Sequence, residues 1–265
     1  MRTRIQTLLV LFVGGLVCSG CTVSKQAQVN AGKGLFSIGE KKQVFFSMGN
    51  LQYKASTDTW RSAERQYDFV GRENVNVSPT YDGWIDLFSW GTGNHPCDTS
   101  QSNANYASFE DWGNNVGGGW RTLTLEEWHY VLFDRKDANA KVAAGSISDV
   151  NGLILLPDNW TLPEDCEFNS GCFEWKCNHY SITQWQRMEA AGAIFLPAAS
   201  RRIGTQVELL HIGVLGYYWS STPCKKNGIG YAHGMFFDGH YLLTSEKTGD
   251  LSYFATSVRL VRDKK

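Results

Sequence analysis

The stretch that decides the fold is Gly119-Trp-Arg-Thr-Leu-Thr-Leu-Glu-Glu-Trp-His-Tyr130. Thr124-Leu-Glu-Glu127 is a capping box: a threonine side chain can accept from the backbone N–H three residues on, and the glutamate can reach back. Trp128, Val131 and Leu132 then fall on one face at helical spacing, so the spacing predicts a helix that buries a tryptophan. The residues before it, Gly117-Gly-Gly119, mark a tight turn.

A second helix is expected from Thr183-Gln-Trp-Gln186, with Trp185, Met188 and Ala191 apolar and Gly192 placed to end it. Each helix precedes a strand-like run: Gly152-Leu-Ile-Leu-Leu156 before Pro157, and Ala193-Ile-Phe-Leu196 before Pro197. Upstream, Gln43-Val-Phe-Phe-Ser-Met48 and Leu51-Gln-Tyr53 read as strands with a turn at Gly49-Asn50. Downstream, strands are expected over Gly213–Ser221, Ala232–Phe237 and Ser257–Val261. Between them, Val77 to Trp120 is punctuated by Gly and Pro and dense in Trp and Asn, so it must hold its shape by burying rings. Short strands, two main helices and long irregular loops make an α+β fold, with residues 35–265 as a single domain.

Composition agrees. Of 265 residues, 42% are hydrophobic and 19% charged, with ten Trp, which supports a sizeable core and excludes disordered, collagen-like and coiled-coil chains. Lys plus Arg is 25 against 26 for Asp plus Glu, so there is no basic excess for phosphate contacts and nucleic acid is not an expected partner.

The N-terminus reads as an address. Arg2 and Arg4 precede the apolar run Leu8–Val17, which is too short to span a bilayer and has the form of a secretory signal. Val17-Cys-Ser-Gly-Cys21 resembles a bacterial lipobox, although Cys18 stands where that family usually has Leu. The resemblance implies a signal peptide over 1–20 and acylation of Cys21, with palmitate-type chains anchoring the mature protein. Polar residues 21–34 are expected to be a flexible tether. Thr22 replaces the Asp that retains many lipoproteins at the inner membrane, which favours the outer membrane; the acidic run that often directs display at the cell surface is absent, and Lys25 stands there, so surface and periplasmic faces both stay open.

Export permits disulfides. Cys97, Cys166, Cys172, Cys177 and Cys224 remain after the signal, and a local disulfide within Glu164–His179 is expected. The spacing of Cys166, Cys172, Cys177 and His179 fits no familiar zinc knuckle, so no metal and no cofactor are assigned.

The opening stretch also looks like the Arg-Leu-Pro-Thr-x-x-Glu-Trp-Glu-Tyr signature of formylglycine-generating-enzyme-like domains, a branch of the C-type-lectin-like fold. Arg121, Thr124, Glu127, Trp128 and Tyr130 match it; Thr122, Leu123 and His129 depart from it. Gly216-Tyr-Tyr-Trp-Ser-Ser-Thr222 and Ser257-Val-Arg-Leu-Val-Arg262 are similar to endings found in Bacteroidetes and Fibrobacter lipoproteins known as major paralogous domains. Gly49-Asn-Leu-Gln-Tyr53, Gly152-Leu-Ile-Leu-Leu-Pro-Asp158 and Phe195-Leu-Pro-Ala-Ala199 look typical of the same group, so the likeness spans residues 40–262.

That resemblance implies a C-type-lectin-like fold and no particular activity. The oxidase of the family needs two cysteines near the C-terminus, and this chain has only Cys224 there. Ser220, Ser221, Asp238 and the histidines at 211, 233 and 240 permit a triad on paper, but no Gly-x-Ser-x-Gly elbow surrounds either serine. The expectation is therefore a non-enzymatic, membrane-anchored lipoprotein that binds a glycan or protein ligand through its C-terminal loops. The ligand-binding residues are expected to be Tyr218, Trp219, Lys225, Asn227, Tyr231, His233, Asp238, His240 and Tyr241, because Tyr, Trp and His give contact area at low entropic cost. Some lectin-like lipoproteins of this kind are variable proteins of diversity-generating retroelements, which mutate such a stretch, and that role is a further expectation. The alternative class is an envelope structural or assembly subunit.

Overall fold

The structure, a computed structural model, describes residues 28–225, 230–245 and 249–265. It is a mixed α+β architecture, mostly short strands in several sheets with few helices. Among the described residues no helix is long and apolar enough to cross a membrane.

The opening stretch behaves as its sequence dictates. Thr124 caps the helix Leu125–His129, with Glu127 N donating to Thr124 Oγ1 and Thr124 N to Glu127 Oε2. Glu127 also takes the Arg121 guanidinium through both oxygens, at 2.6 and 2.9 Å, and Arg121 bridges on to Asp263 near the C-terminus. The helix continues into a π-helical turn, Tyr130–Asp134, and Trp128, Val131 and Leu132 are all buried. Gly117, Gly118 and Gly119 each have a positive φ, the left-handed backbone that turns the chain sharply into the strand Trp120–Arg121.

The second helix runs Ile182–Ala190, and its cap corrects the expectation. Ser181 is the N-cap and Gln184 closes the box, two residues earlier than Thr183 and Gln186. Both registers satisfy the sequence pattern, but it is the Ser181 hydroxyl that accepts from Gln184 N, while the Gln184 side chain accepts from Ser181 N. Gly192, at φ 103°, ends it as expected: Ala193 N bonds Met188 O and Gly192 N bonds Glu189 O, a Schellman arrangement.

One antiparallel sheet joins the two ends of the domain in the order Phe36–Gly39, Lys42–Phe46, Val261–Asp263, Trp120–Arg121. A second is built on Val150–Leu155 between Ile194–Pro197 and Val142–Ile147, the last also pairing in parallel with His179–Tyr180. The strand Val142–Ile147 escaped the sequence reading because its Ala143-Ala-Gly145 centre lacks branched or aromatic residues, yet all six residues are buried. The tail sheet pairs Gly216–Pro223 with Tyr231–Phe237, which in turn pairs with Leu242–Thr244 and Asp250–Leu251.

Three expectations are corrected here. Gly49-Asn50 does not join two paired strands: Leu51–Lys54 pairs with Thr59–Ser62, while Lys42–Phe46 pairs elsewhere. The expected strand Ser257–Val261 is reduced to a single bridge between Ser257 and Tyr218 followed by irregular backbone over 258–260, where Val258 O accepts from Leu51 N and Leu260 O from Ser47 N. Residues 28–34, expected within the tether, are docked on the domain: Gln28 bonds Trp60 and Ser62, Asn30 bonds Met48, and Gly32 bonds Phe46, all through the backbone.

The core divides into three clusters. One packs Phe36, Phe46, Trp128, Leu132, Tyr218 and Phe237 beneath the first helix. The second is the ring-rich cluster predicted for the middle segment: Trp60, Phe88, Trp90, Trp112, Trp120 and Trp219. The third sits under the second helix around Trp185 and Phe195. Trp84 is half-buried, with the Arg61 guanidinium 3.9 Å above its ring.

Candidate functional site

The tail sheet places successive side chains on opposite faces. Tyr218, paired with Met235, points into the first core cluster, where its hydroxyl donates to Pro197 O at 2.9 Å and accepts from Asn50 Nδ2 at 3.1 Å. Tyr217, paired with Phe236, points the other way, as does Trp219. That opposite face has two fates. At Trp219 it is roofed by the middle segment, with Trp219 Nε1 donating to Phe88 O and Trp90 Nε1 to Ser220 O, both at 2.9 Å. At Tyr217 it opens into a groove of about 720 Å³.

Tyr217 and Phe236 lie with ring centroids 5.0 Å apart and are half-buried; Leu243, across the sheet from Phe236, is 54% exposed. Arg201, Asp250, His129 and Phe133 also line the groove. Arg201 is fixed by Glu208, which accepts from Nε at 2.8 Å and Nη2 at 3.1 Å, and its guanidinium lies over the faces of Tyr217 and Phe254. Burial would raise the Glu208 carboxyl, but hydrogen bonds from Arg201 and His211 hold it below the usual range. Burial pushes the Asp250 carboxyl up, against the pull of Arg201 and His233, and it raises the Tyr217 hydroxyl as well.

The residues expected to bind ligand do not converge. Tyr218 and Trp219 are buried core residues, which removes them from any ligand surface: the parity of the strand and the roof of the middle segment enclose both. His233 is also buried, its Nδ1 2.6 Å from Ser245 O. Lys225 and Tyr231 line a separate pocket of about 340 Å³ with Trp90, Tyr106 and Cys224. Asp238 and His240 line a third, of about 350 Å³, beside Trp175. There the Asp238 carboxylate accepts from the backbone N–H of His240 and Tyr241, a turn-forming role, and Tyr241 is 62% exposed. Asn227 and the lipidation candidate Cys21 lie outside the described residues.

Tyr217 and Phe236 are not among the residues expected to bind ligand; of those that are, Tyr218, Trp219 and His233 are buried, Tyr231 and Asp238 are half-buried, and His240 and Tyr241 are exposed. Arg201, Glu208, His129 and Asp250 carried no signal in the linear pattern, since three separate segments bring them together.

The triad drawn from sequence is not assembled. Ser220 Oγ donates to the carbonyl oxygen of His233, not to an imidazole nitrogen, and Ser221 Oγ points to Leu123 O. Cys172 and Cys177 form the expected local disulfide, while Cys97, Cys166 and Cys224 are free thiols. Burial raises the Cys97 and Cys166 thiols, which disfavours the reactive thiolate. Among the described residues no group of three or more His, Cys, Asp or Glu is arranged to hold a metal ion.

The chain has no significant match to any protein-family model, curated protein or solved structure.

Proposed function

We propose that this chain is a lipid-anchored outer-membrane protein whose C-type-lectin-like domain binds a glycan or protein ligand in the groove over Tyr217 and Phe236. The observation that carries the reading is the unequal treatment of one sheet face: Trp219 is roofed by core, whereas Tyr217 and Phe236 are left beside a concave surface also lined by Arg201 and Asp250. The groove draws on the C-terminal segment that the sequence pointed to, with Phe236, Leu243 and Asp250 as its contribution. The lectin-like assignment is supported by the α+β architecture and by the structural work that Arg121, Thr124, Glu127 and Trp128 do together. The anchor is supported by the signal and by Cys21 in its lipobox-like setting.

The test is a glycan and host-protein array probed with the full chain in mild detergent, with and without calcium, beside a folded Tyr217→Ala/Phe236→Ala variant. Binding that this variant loses is expected; binding that it keeps would move the site elsewhere. Labelling with a palmitate analogue, lost in Cys21→Ala together with membrane association, tests the anchor.

The assembly reading keeps one observation in its favour. Leu209, Leu210 and Val214 are exposed on one short segment, Leu210 at 91%, as at a protein contact. A stoichiometric partner that co-purifies with the full chain and is lost on Leu210→Asp would support it.

A further inference from the structure

We propose that the groove seats a neutral sugar ring, its apolar face against Tyr217 and Phe236 and its hydroxyls shared between the Asp250 carboxyl and Arg201 Nη1. This rests on the binding reading above and narrows its ligand class.

Three features select that class. First, the two rings are tilted at 41° to each other and are only half-buried, so they give ring surface to the groove as well as packing on one another. Rings of this kind match the C–H face of a pyranose and exclude water from it. Second, the polar groups beside them are incompletely used. Asp250 accepts no side-chain hydrogen bond among the described residues, although burial has stripped part of its water. Arg201 spends Nε and Nη2 on Glu208 and leaves Nη1 without an acceptor among the described residues. Both groups line the groove and are open to water there, so a ligand that can donate and accept replaces that water without loss of hydrogen bonds. A sugar hydroxyl both donates and accepts, so a vicinal pair serves Asp250 and Arg201 at once.

Third, the local charge is balanced. The Arg201 charge is met by Glu208, and Asp250 and His211 stand nearby. An anionic ligand meets two carboxylates, and a cationic one meets a guanidinium already over Tyr217. A neutral polyhydroxylated ligand meets neither penalty, and an all-apolar one leaves Asp250 unpaired.

The experiment is ligand-observed saturation-transfer NMR on the full chain in mild detergent. The probes are a panel of neutral methyl pyranosides and disaccharides, a sulfated oligosaccharide, and a Lys/Arg-rich peptide. At least one neutral sugar is expected to bind, with Kd weakened about tenfold by Tyr217→Ala and again about tenfold by Asp250→Asn. Phe236→Leu, which keeps an apolar side chain, serves as a second variant should Tyr217→Ala unfold; near-ultraviolet circular dichroism reports folding. Silence from every neutral sugar overturns the proposal, as does sugar binding unchanged in the variants. A peptide or array protein whose binding falls in Tyr217→Ala overturns the sugar class while leaving the groove as the site, whereas ligand binding unaffected by any groove variant removes both.

Discussion

Arg259 Nε donates to Asn50 Oδ1 at 3.1 Å across 209 positions of chain. Both residues are fully buried, and among the described residues no carboxylate forms an ion pair with the guanidinium: Arg259 Nη1 goes to Ser47 O and Nη2 to Phe195 O. Asn50 meanwhile donates to Tyr218, which donates to Pro197 O, so one node ties the N-terminal region, the second sheet and the tail together. Burial pulls the Arg259 pKa down to about 10, which still leaves it charged at neutral pH.

Removing one member of this node leaves the others buried and unpaired. Asn50→Ala is expected to destabilise the fold by about 3 kcal/mol, since it strips an acceptor from a buried charge and a donor from Tyr218. Chemical denaturation of the variant measures this, and a loss below about 1 kcal/mol contradicts the account.

Neighbouring tyrosines should behave oppositely. Tyr218→Ala opens a cavity in the first core cluster and breaks two hydrogen bonds, at a cost of about 3–5 kcal/mol. Tyr217→Ala, on the grooved face, should cost about 1 kcal/mol or less and instead weaken ligand binding. Thermal melts of the two variants, run side by side, decide the assignment of faces; equal losses would refute it.

Stability should rise as the solution is mildly acidified. Asp86 is fully buried, and desolvation raises its pKa from 3.8 to about 6 against the hydrogen bonds from Asn74 and Val70. Its folded form therefore holds a proton that the unfolded form has released between those values, and the contribution is present at low pH and lost as pH rises through about 6. The shift corresponds to about 3 kcal/mol in favour of the protonated side. Below about pH 4 the opposite case takes over: burial alone would raise Asp158, but hydrogen bonds from Ser37 and Gln43 hold it low, so protonating it costs stability. The midpoint of urea unfolding is expected to climb as pH falls from about 6 to about 4 and to drop below that, and Asp86→Asn should flatten the first limb.

The helix cap offers a sharp contrast. Ser181→Ala should cost about 1 kcal/mol, whereas Thr183→Ala should be nearly neutral, because only Ser181 accepts from Gln184 N. Circular dichroism melts of the pair test the register directly.

Local chemistry was legible in the chain by itself. The capping box at Thr124, the helix end at Gly192, the local disulfide and the alternation of the tail all rest on interactions within a few residues, so short windows of sequence contain both partners. Which half of the alternation is buried rests on distant partners. Tyr218 turns inward because Asn50 and the Pro197 carbonyl await its hydroxyl, and Trp219 is enclosed because Phe88 and Trp90 close over it. The groove likewise exists only where Arg201, Tyr217, Phe236 and Asp250 are carried together by separate strands and loops. A strand's period of two tells that its faces differ; the choice between core and ligand surface belongs to whatever the rest of the chain lays against each face.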